Sequence, residues 1–171
     1  MSPGAGVVRT ADRLDLFAVA RIYAYYVSDT VVTFEVTPPD LGTWYQRFDR
    51  ITTRGLPFLV AEDTGGIVGY AYATPWHERA GYAHTVESSV YVAHSAHGNG
   101  FGRALLEALL LRCSKAGIRQ VIAVIADSGD PASTALHRRC GFTEAGRLVG
   151  VGAKHGRWLD TVLWQRGLAD D

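Results

Sequence analysis

The sequence predicts a mixed α/β (α+β) protein, a sheet of about seven strands with about four helices packed on it. Three observations predict it. Strand-like and helix-like runs follow one another in the order strand, helix, helix, hairpin, strand, helix, strand, helix, strand, strand. Gln120 to Ile125 is a near-continuous β-branched run, as expected of a central strand covered on both faces. One strand, Thr85 to Val92, runs through a Gly-rich loop into a long helix.

Each element has a local reason. Gly6 to Thr10 is a short β-rich run. From Asp12 to Ser28 the residues Leu14, Phe17, Ala18, Ile22 and Tyr25 recur at helical spacing. Asp40 to Arg54 reads as a second helix, entered from Pro38-Pro39 with Asp40 as N-cap. Phe58 to Asp63 and Ile67 to Thr74 are strand-like, and Thr64-Gly65-Gly66 between them reads as a hairpin turn. Thr85 to Val92 alternates as a strand does. Gly100 to Ala116 carries Leu105, Leu106, Leu109 and Leu110 as an apolar stripe, and Gly117 stops it. Asp130-Pro131 fits an N-cap and first helical position, opening a helix to about Cys140 that Gly141-Phe142 ends. Thr143 to Gly152 and Trp158 to Gln165 read as two last strands, separated by the polar stretch around Lys154 to Arg157.

Composition narrows the function classes. At 171 residues one domain spanning 1–171 is expected, and 47% hydrophobic residues exclude wholesale disorder. Lys plus Arg and Asp plus Glu number 17 each, so the formal net charge is zero, which argues against a dedicated nucleic-acid binder. No apolar run reaches the length of a bilayer span. Met1-Ser2-Pro3-Gly4 lacks the basic-then-apolar pattern of a secretory leader. Cys113 and Cys140 make neither a disulfide framework nor a zinc cage. A soluble cytoplasmic protein with no membrane or nucleic-acid partner is the expectation.

The most informative stretch is Val90 to Arg103, a strand, a short loop, then Gly98, Gly100 and Gly102 opening a helix. Glycines allow close backbone approach and turn amides outward, and a helix N-terminus adds about half a positive charge. The pattern is an anion site suited to phosphate. No Gly-Lys-Ser/Thr follows, so it is not a Walker A loop, and Arg103 stands where the dinucleotide fingerprint needs its third glycine. A Gly-rich connection without a ligand is the plainer alternative.

The segment from Val90 to Leu106, with His97-Gly98-Asn99-Gly100-Phe101-Gly102 at its centre, resembles motif A of the GNAT superfamily of N-acetyltransferases. His97 departs from the family's Gln or Arg. Pro131 to Phe142 resembles motif B, with Asp130 where many members have Asn and His137 where most have Tyr. Thr33-Phe34-Glu35, Tyr70 to Ala73, Pro75-Trp76, Arg79, Tyr82, Thr85 to Val92, Ala123 to Ile125 and Lys154 to Asp160 resemble the phosphinothricin N-acetyltransferases, a group that includes methionine sulfoximine and sulfone acetyltransferases. The resemblance spans nearly the whole chain.

It implies a largely antiparallel sheet splayed at an acetyl-CoA site, and direct acetyl transfer to the primary amine of a small acceptor bearing a carboxylate. Such an amine is mostly protonated at neutral pH, so the reaction needs a base, an oxyanion donor and a proton for the departing thiolate. Glu87 is the implied base; otherwise it is a glutamate on a half-exposed strand. His137, whose unperturbed pKa is about 6.5, would donate to sulfur or help draw off the amine proton; otherwise it is a satisfied helix histidine. The backbone of Val90, Tyr91 and Val92 would hold the thioester carbonyl and pantetheine. His97, Gly98, Asn99, Gly100, Phe101, Gly102, Arg103 and Ser133 complete the implied cofactor contacts. Arg79 and Tyr82 would grip the acceptor's carboxylate, Phe34 line its wall and Lys154 reach its anionic head, or each is a surface charge or core ring.

The other histidines, His77, His84 and His94, match no zinc spacing with His97, so no metal is expected. Cys113 reads as core, and Cys140 is given no catalytic role. Trp44, Tyr45 and Phe48 read as core or subunit interface. The resemblance implies a homodimer, with the last strands and the Trp44 helix as contact surfaces. Two rival functions remain at this point: an acetyltransferase for another amine, such as another amino acid, a polyamine or a protein N-terminus, and a non-catalytic CoA-sensing module.

Overall fold

A computed structural model describes residues 6–168. Met1-Ser2-Pro3-Gly4, on which the expectation of no leader rests, lies outside the described residues, as do both ends of the 1–171 domain assignment. Among the described residues seven strands form one sheet: β1 (Val7–Thr10), β2 (Phe58–Asp63), β3 (Gly66–Pro75), β4 (Thr85–Val92), β5 (Gln120–Ala126), β6 (Thr143–Lys154) and β7 (Arg157–Gly167). Their order is β1-β2-β3-β4-β5-β7-β6. The helices are α1 (Leu16–Asp29), α2 (Leu41–Thr52), α3 (Phe101–Lys115) and α4 (Ala132–Arg139). Among the described residues β4 with β5 is the only parallel pair, because α3 carries the chain back between them.

The sheet's two faces follow from strand alternation. On β3, Ala71 and Ala73 face α3, whereas Tyr70 and Tyr72 face α1 and α2. The small residues let α3 lie close: a Cβ on Gly69 would stand 3.0 Å from Leu105 Cδ1. The α3 stripe Leu105, Leu106, Leu109 and Leu110 is fully packed there with Val86, Val121 and Phe142. The opposite face is aromatic. Trp44 and Phe48 are buried there, edge-on or tilted against Tyr23, Tyr70 and Phe58. Each such pair adds about 0.5–1.5 kcal/mol beyond its area. Trp44 and Phe48 thus belong to the core.

Helix and turn ends explain the remaining boundaries. Asp12 caps a 3-10 turn (Arg13–Asp15) before α1, in a reciprocal box with Asp15. Asp40 caps α2, its Oδ1 accepting from Thr43 N at 2.7 Å. α4 begins one residue later than expected: Pro131 stands at the N-cap, and Asp130 Oδ1 accepts from Ala132 N at 2.9 Å. The last two strands also run further than their composition suggests. Lys154 pairs with Arg157 around His155 (φ 50°) and Gly156 (φ 71°), a two-residue turn with both residues left-handed, as a tight hairpin requires.

Candidate active site

β4 pairs with β3 along its whole length but with β5 only from Thr85 to Ser88. Beyond Ala123, β5 leaves β4 and continues against β7. The second half of β4 therefore has an open edge. Trp76 N donates to Thr85 O, and Ala93 N donates to Val68 O. Backbone direction alternates along a strand, so the peptide groups of Thr85, Glu87, Ser89 and Tyr91 face β3, and those of Ser88, Val90 and Val92 face the gap. The carbonyl of Val92 is taken by Tyr26 Oη at 2.5 Å and His97 Nε2 at 3.1 Å. Tyr91 turns its peptide to β3 and its ring into the aromatic cluster with Tyr23, Tyr26 and Tyr70. Val90 keeps its amide on the open edge.

The loop after β4 closes the end of the gap. Gly98 (φ 79°) and Gly100 (φ 83°) are left-handed, and a Cβ on either would meet nothing within 4 Å. Gly100 is the N-cap of α3 and has no side-chain cap bond. Among the described residues no acceptor takes the amides of Gly98, Asn99, Gly100, Phe101, Gly102 or Arg103. Unpaired amides at a helix N-terminus, with open space over the glycines, make an anion cradle. The side chains of this loop serve it from outside. His97 Nε2 lies 2.8 Å from Tyr26 Oη, tying the loop to α1. Phe101 packs its ring over Gly6, Arg103 pairs with Glu107 at 2.7 Å, and Asn99 Nδ2 donates to Ala96 O at 3.4 Å. α4 flanks the cradle, Leu136 Cδ2 standing 3.4 Å from a Cβ placed on Gly102.

Glu87 and His137 approach the sheet from opposite faces. Glu87 shares the parity of Tyr91 and faces α1 and α2, while His137 packs against Phe142 on the α3 and α4 side. The Glu87 carboxylate is half-buried and has no hydrogen bond or ion pair among the described residues. Burial raises its pKa above the usual glutamate range. His137 is 6% exposed. Its Nδ1 lies 2.8 Å from Ser133 O and must donate to it, which leaves Nε2 as a bare acceptor. Burial lowers its pKa, so the ring is neutral at neutral pH. Ser133 thus serves through its carbonyl, as the partner of His137.

The acceptor-side residues divide. The α1–α2 connection reaches across to the β6–β7 hairpin, and the Phe34 ring lies directly over Gly152. Lys154 lies under that connection. It is 4% exposed, and its ammonium donates to Thr33 O at 2.9 Å and Tyr26 O at 3.4 Å, bracing that connection. Arg79 is exposed at the head of the turn Ala80–Tyr82 and has no partner among the described residues, and Tyr82 stands edge-on to His77. A second group went unread in the sequence. Arg47 and Arg50 of α2 and Arg54, two residues past its end, line a cleft against Tyr72 and Thr74 of β3. Their spacing of three and then four along a helix was the available signal.

The other singled-out residues are structural. His84 Nδ1 lies 2.9 Å from Gly117 O, and His94 Nδ1 lies 3.3 Å from Tyr25 Oη. Among the described residues no group of three His, Cys, Asp or Glu could hold a metal, and no helix is long and apolar enough to cross a membrane. Both cysteines are buried and unpaired, and burial pushes the Cys113 thiol up to about 12.

Comparison with known proteins agrees with this geometry. The model of the acetyltransferase (GNAT) family matches residues 19–142. The chain is 48% identical over 164 residues to a phosphinothricin N-acetyltransferase of Alcaligenes faecalis, covering 96% of this chain and 83% of that one. It is 40% identical over 162 residues to an L-methionine sulfoximine/L-methionine sulfone acetyltransferase of Pseudomonas aeruginosa, covering 94% of each. A Sinorhizobium meliloti phosphinothricin acetyltransferase, solved in complex with acetyl-CoA, superposes with a TM-score of 0.92 at 43% identity, over 96% of this chain and 89% of that one. The open β4 edge, the amide cradle and these matches have one explanation: the chain belongs to the GNAT family of acetyltransferases.

Proposed function

We propose that the protein transfers the acetyl group of acetyl-CoA directly to the primary amine of a small amino acid, of the phosphinothricin or methionine sulfoximine and sulfone type. The observation that carries this reading is Glu87, an unpaired half-buried carboxylate one residue before the point where β4 loses β5. The residues present suit acetyl-CoA. The open space over Gly98 and Gly100 and the six unpaired amides fit a pyrophosphate, and the free edge of β4 fits an amide-bearing chain laid alongside it. When bound, acetyl-CoA supplies an acyl thioester.

The chain's own residues do the rest. Glu87 draws the proton from the acceptor's ammonium, directly or through one water, and burial makes it a stronger base for this. The Val90 amide is the donor available to a developing oxyanion. His137, neutral and with its one N–H committed to Ser133, is suited to accept a proton rather than to donate one to sulfur, so the second proton lost by the nitrogen on acylation is the one available to the departing thiolate. Arg79 and Tyr82 hold the acceptor's carboxylate, and Phe34 walls the site.

The same reading makes the protein a cytoplasmic homodimer. β6 is an edge strand, and Leu148, Val149, Val151 and Trp158 are exposed on the β6–β7 hairpin. The direct test is free-thiol release from acetyl-CoA by the purified protein, with phosphinothricin and methionine sulfoximine as separate acceptors. Amine-dependent release with a low KM for one of them is expected. Release only with unrelated amines overturns the roles of Arg79 and Tyr82, and tight acetyl-CoA binding with no release for any amine favours a sensing module.

A further inference from the structure

We infer that the cleft between α2 and β3 receives a second, side-chain anion of the acceptor, a phosphinate or carboxylate, on Arg50. The inference rests on the functional reading above and narrows it to acceptors that carry two negative groups. The cleft has a volume of about 270 Å³, enough for a small polar head and too little for a large ligand. Three arginines line it, and two are already compensated. Arg54 grips Glu78 with Nη1 and Nη2 at 3.3 and 3.0 Å. Arg47 donates to Glu35 at 2.5 Å and lies over the Trp44 ring. Arg50 has no ion pair or hydrogen bond among the described residues, so its charge is the one left over.

Position makes that charge relevant to the reaction. Thr74, which lines the cleft, is the direct cross-strand partner of Glu87. Such partners place their Cβ atoms about 5 Å apart, a span comparable to that between the amine of an amino acid and a group at the end of a short side chain. Tyr72, two residues earlier on the same face, lines the cleft; burial is what chiefly raises its pKa, and the Glu87 charge nearby adds to it. The charges also match. Lys154, the cation that the sequence offered for an anionic head, spends two of its three N–H donors on carbonyls. Arg50 and Arg79 are then two free guanidinium groups for two acidic groups, with Glu87 beside the ammonium.

The test compares phosphinothricin, whose side chain carries a phosphinate anion, with methionine sulfone, whose side chain is uncharged. Thiol release is measured on the wild type and on Arg50→Gln. The KM for phosphinothricin is expected to rise roughly tenfold more than that for methionine sulfone, with kcat little changed for either. Arg50→Lys restores part of the loss. A KM ratio unmoved by Arg50→Gln overturns the inference. Calorimetric titration of phosphinothricin separates this claim from the functional reading. If the wild type releases no thiol with either amine, the functional reading fails. Phosphinothricin binding that Arg50→Gln weakens still supports the cleft. Binding that ignores the substitution, or no binding to the wild type, overturns it.

Discussion

Glu87→Gln exchanges a carboxylate for an amide of the same shape at a position where the side chain holds nothing else in place. Glu87 has no hydrogen bond or ion pair among the described residues, so no structural contact is lost. Burial raises its pKa, which means that the folded protein bears the charged form at some cost, and at neutral pH the neutral variant is expected to be at least as stable as the wild type. Loss of a general base costs about 10²- to 10⁴-fold in rate, or about 3–5 kcal/mol of transition-state stabilisation. The assay is thiol release across a range of pH. In the wild type, log kcat/KM falls as the pH drops through a pKa above the ordinary glutamate range, because the base must be ionised. In Glu87→Gln that limb disappears, kcat drops by the stated factor, and acetyl-CoA affinity is unchanged. Retention of more than about half the wild-type kcat, or of the same acid limb, would refute the assignment of the base.

Three further outcomes follow from other parts of the structure. Gly100→Ala puts a side chain at φ 83° and into the open space of the cradle; about 1–2 kcal/mol of stability should be lost, with a raised acetyl-CoA Kd by calorimetry. Lys154→Met leaves the buried Thr33 carbonyl without its donor; urea denaturation should show a loss of about 1–3 kcal/mol. Arg9 bonds hold the Asp15 carboxyl below its usual range. That stabilisation is present above the unfolded pKa and is lost as the pH falls through the folded one, so Asp15→Asn should cost stability at pH 7 and the gap should narrow in acid. Equal gaps at both pH values would count against the ion pair.

The site was legible in the sequence wherever it depends on neighbours along the chain. β4 was bounded correctly at Thr85 and Val92 because alternation stops at Val92, ahead of the short loop that leads to Gly98. Asp40 was legible as a cap because its oxygen reaches an amide three residues on. The α4 start shifted by one residue, since Asp130 and Pro131 are both able to close that helix end. The β6–β7 tips looked polar enough for a loop, yet His155 takes a left-handed φ and lets the strands pair to Lys154 and Arg157. Lys154 was beyond reach, because its carbonyl partner Thr33 lies 121 positions away.

By itself the sequence determined the elements, the glycines that free the amides of the cradle, and the strand position of Glu87, because each follows from backbone sterics and side-chain alternation over a few residues. Only the tertiary structure decided that β5 abandons β4 after Ser88, that Tyr91 turns to β3 while Val90 faces the gap, and that Arg50 is left uncompensated as Arg47 and Arg54 find Glu35 and Glu78. Open edges and unpaired charges are what remains after packing has placed the other groups, and that remainder depends on which distant segments meet.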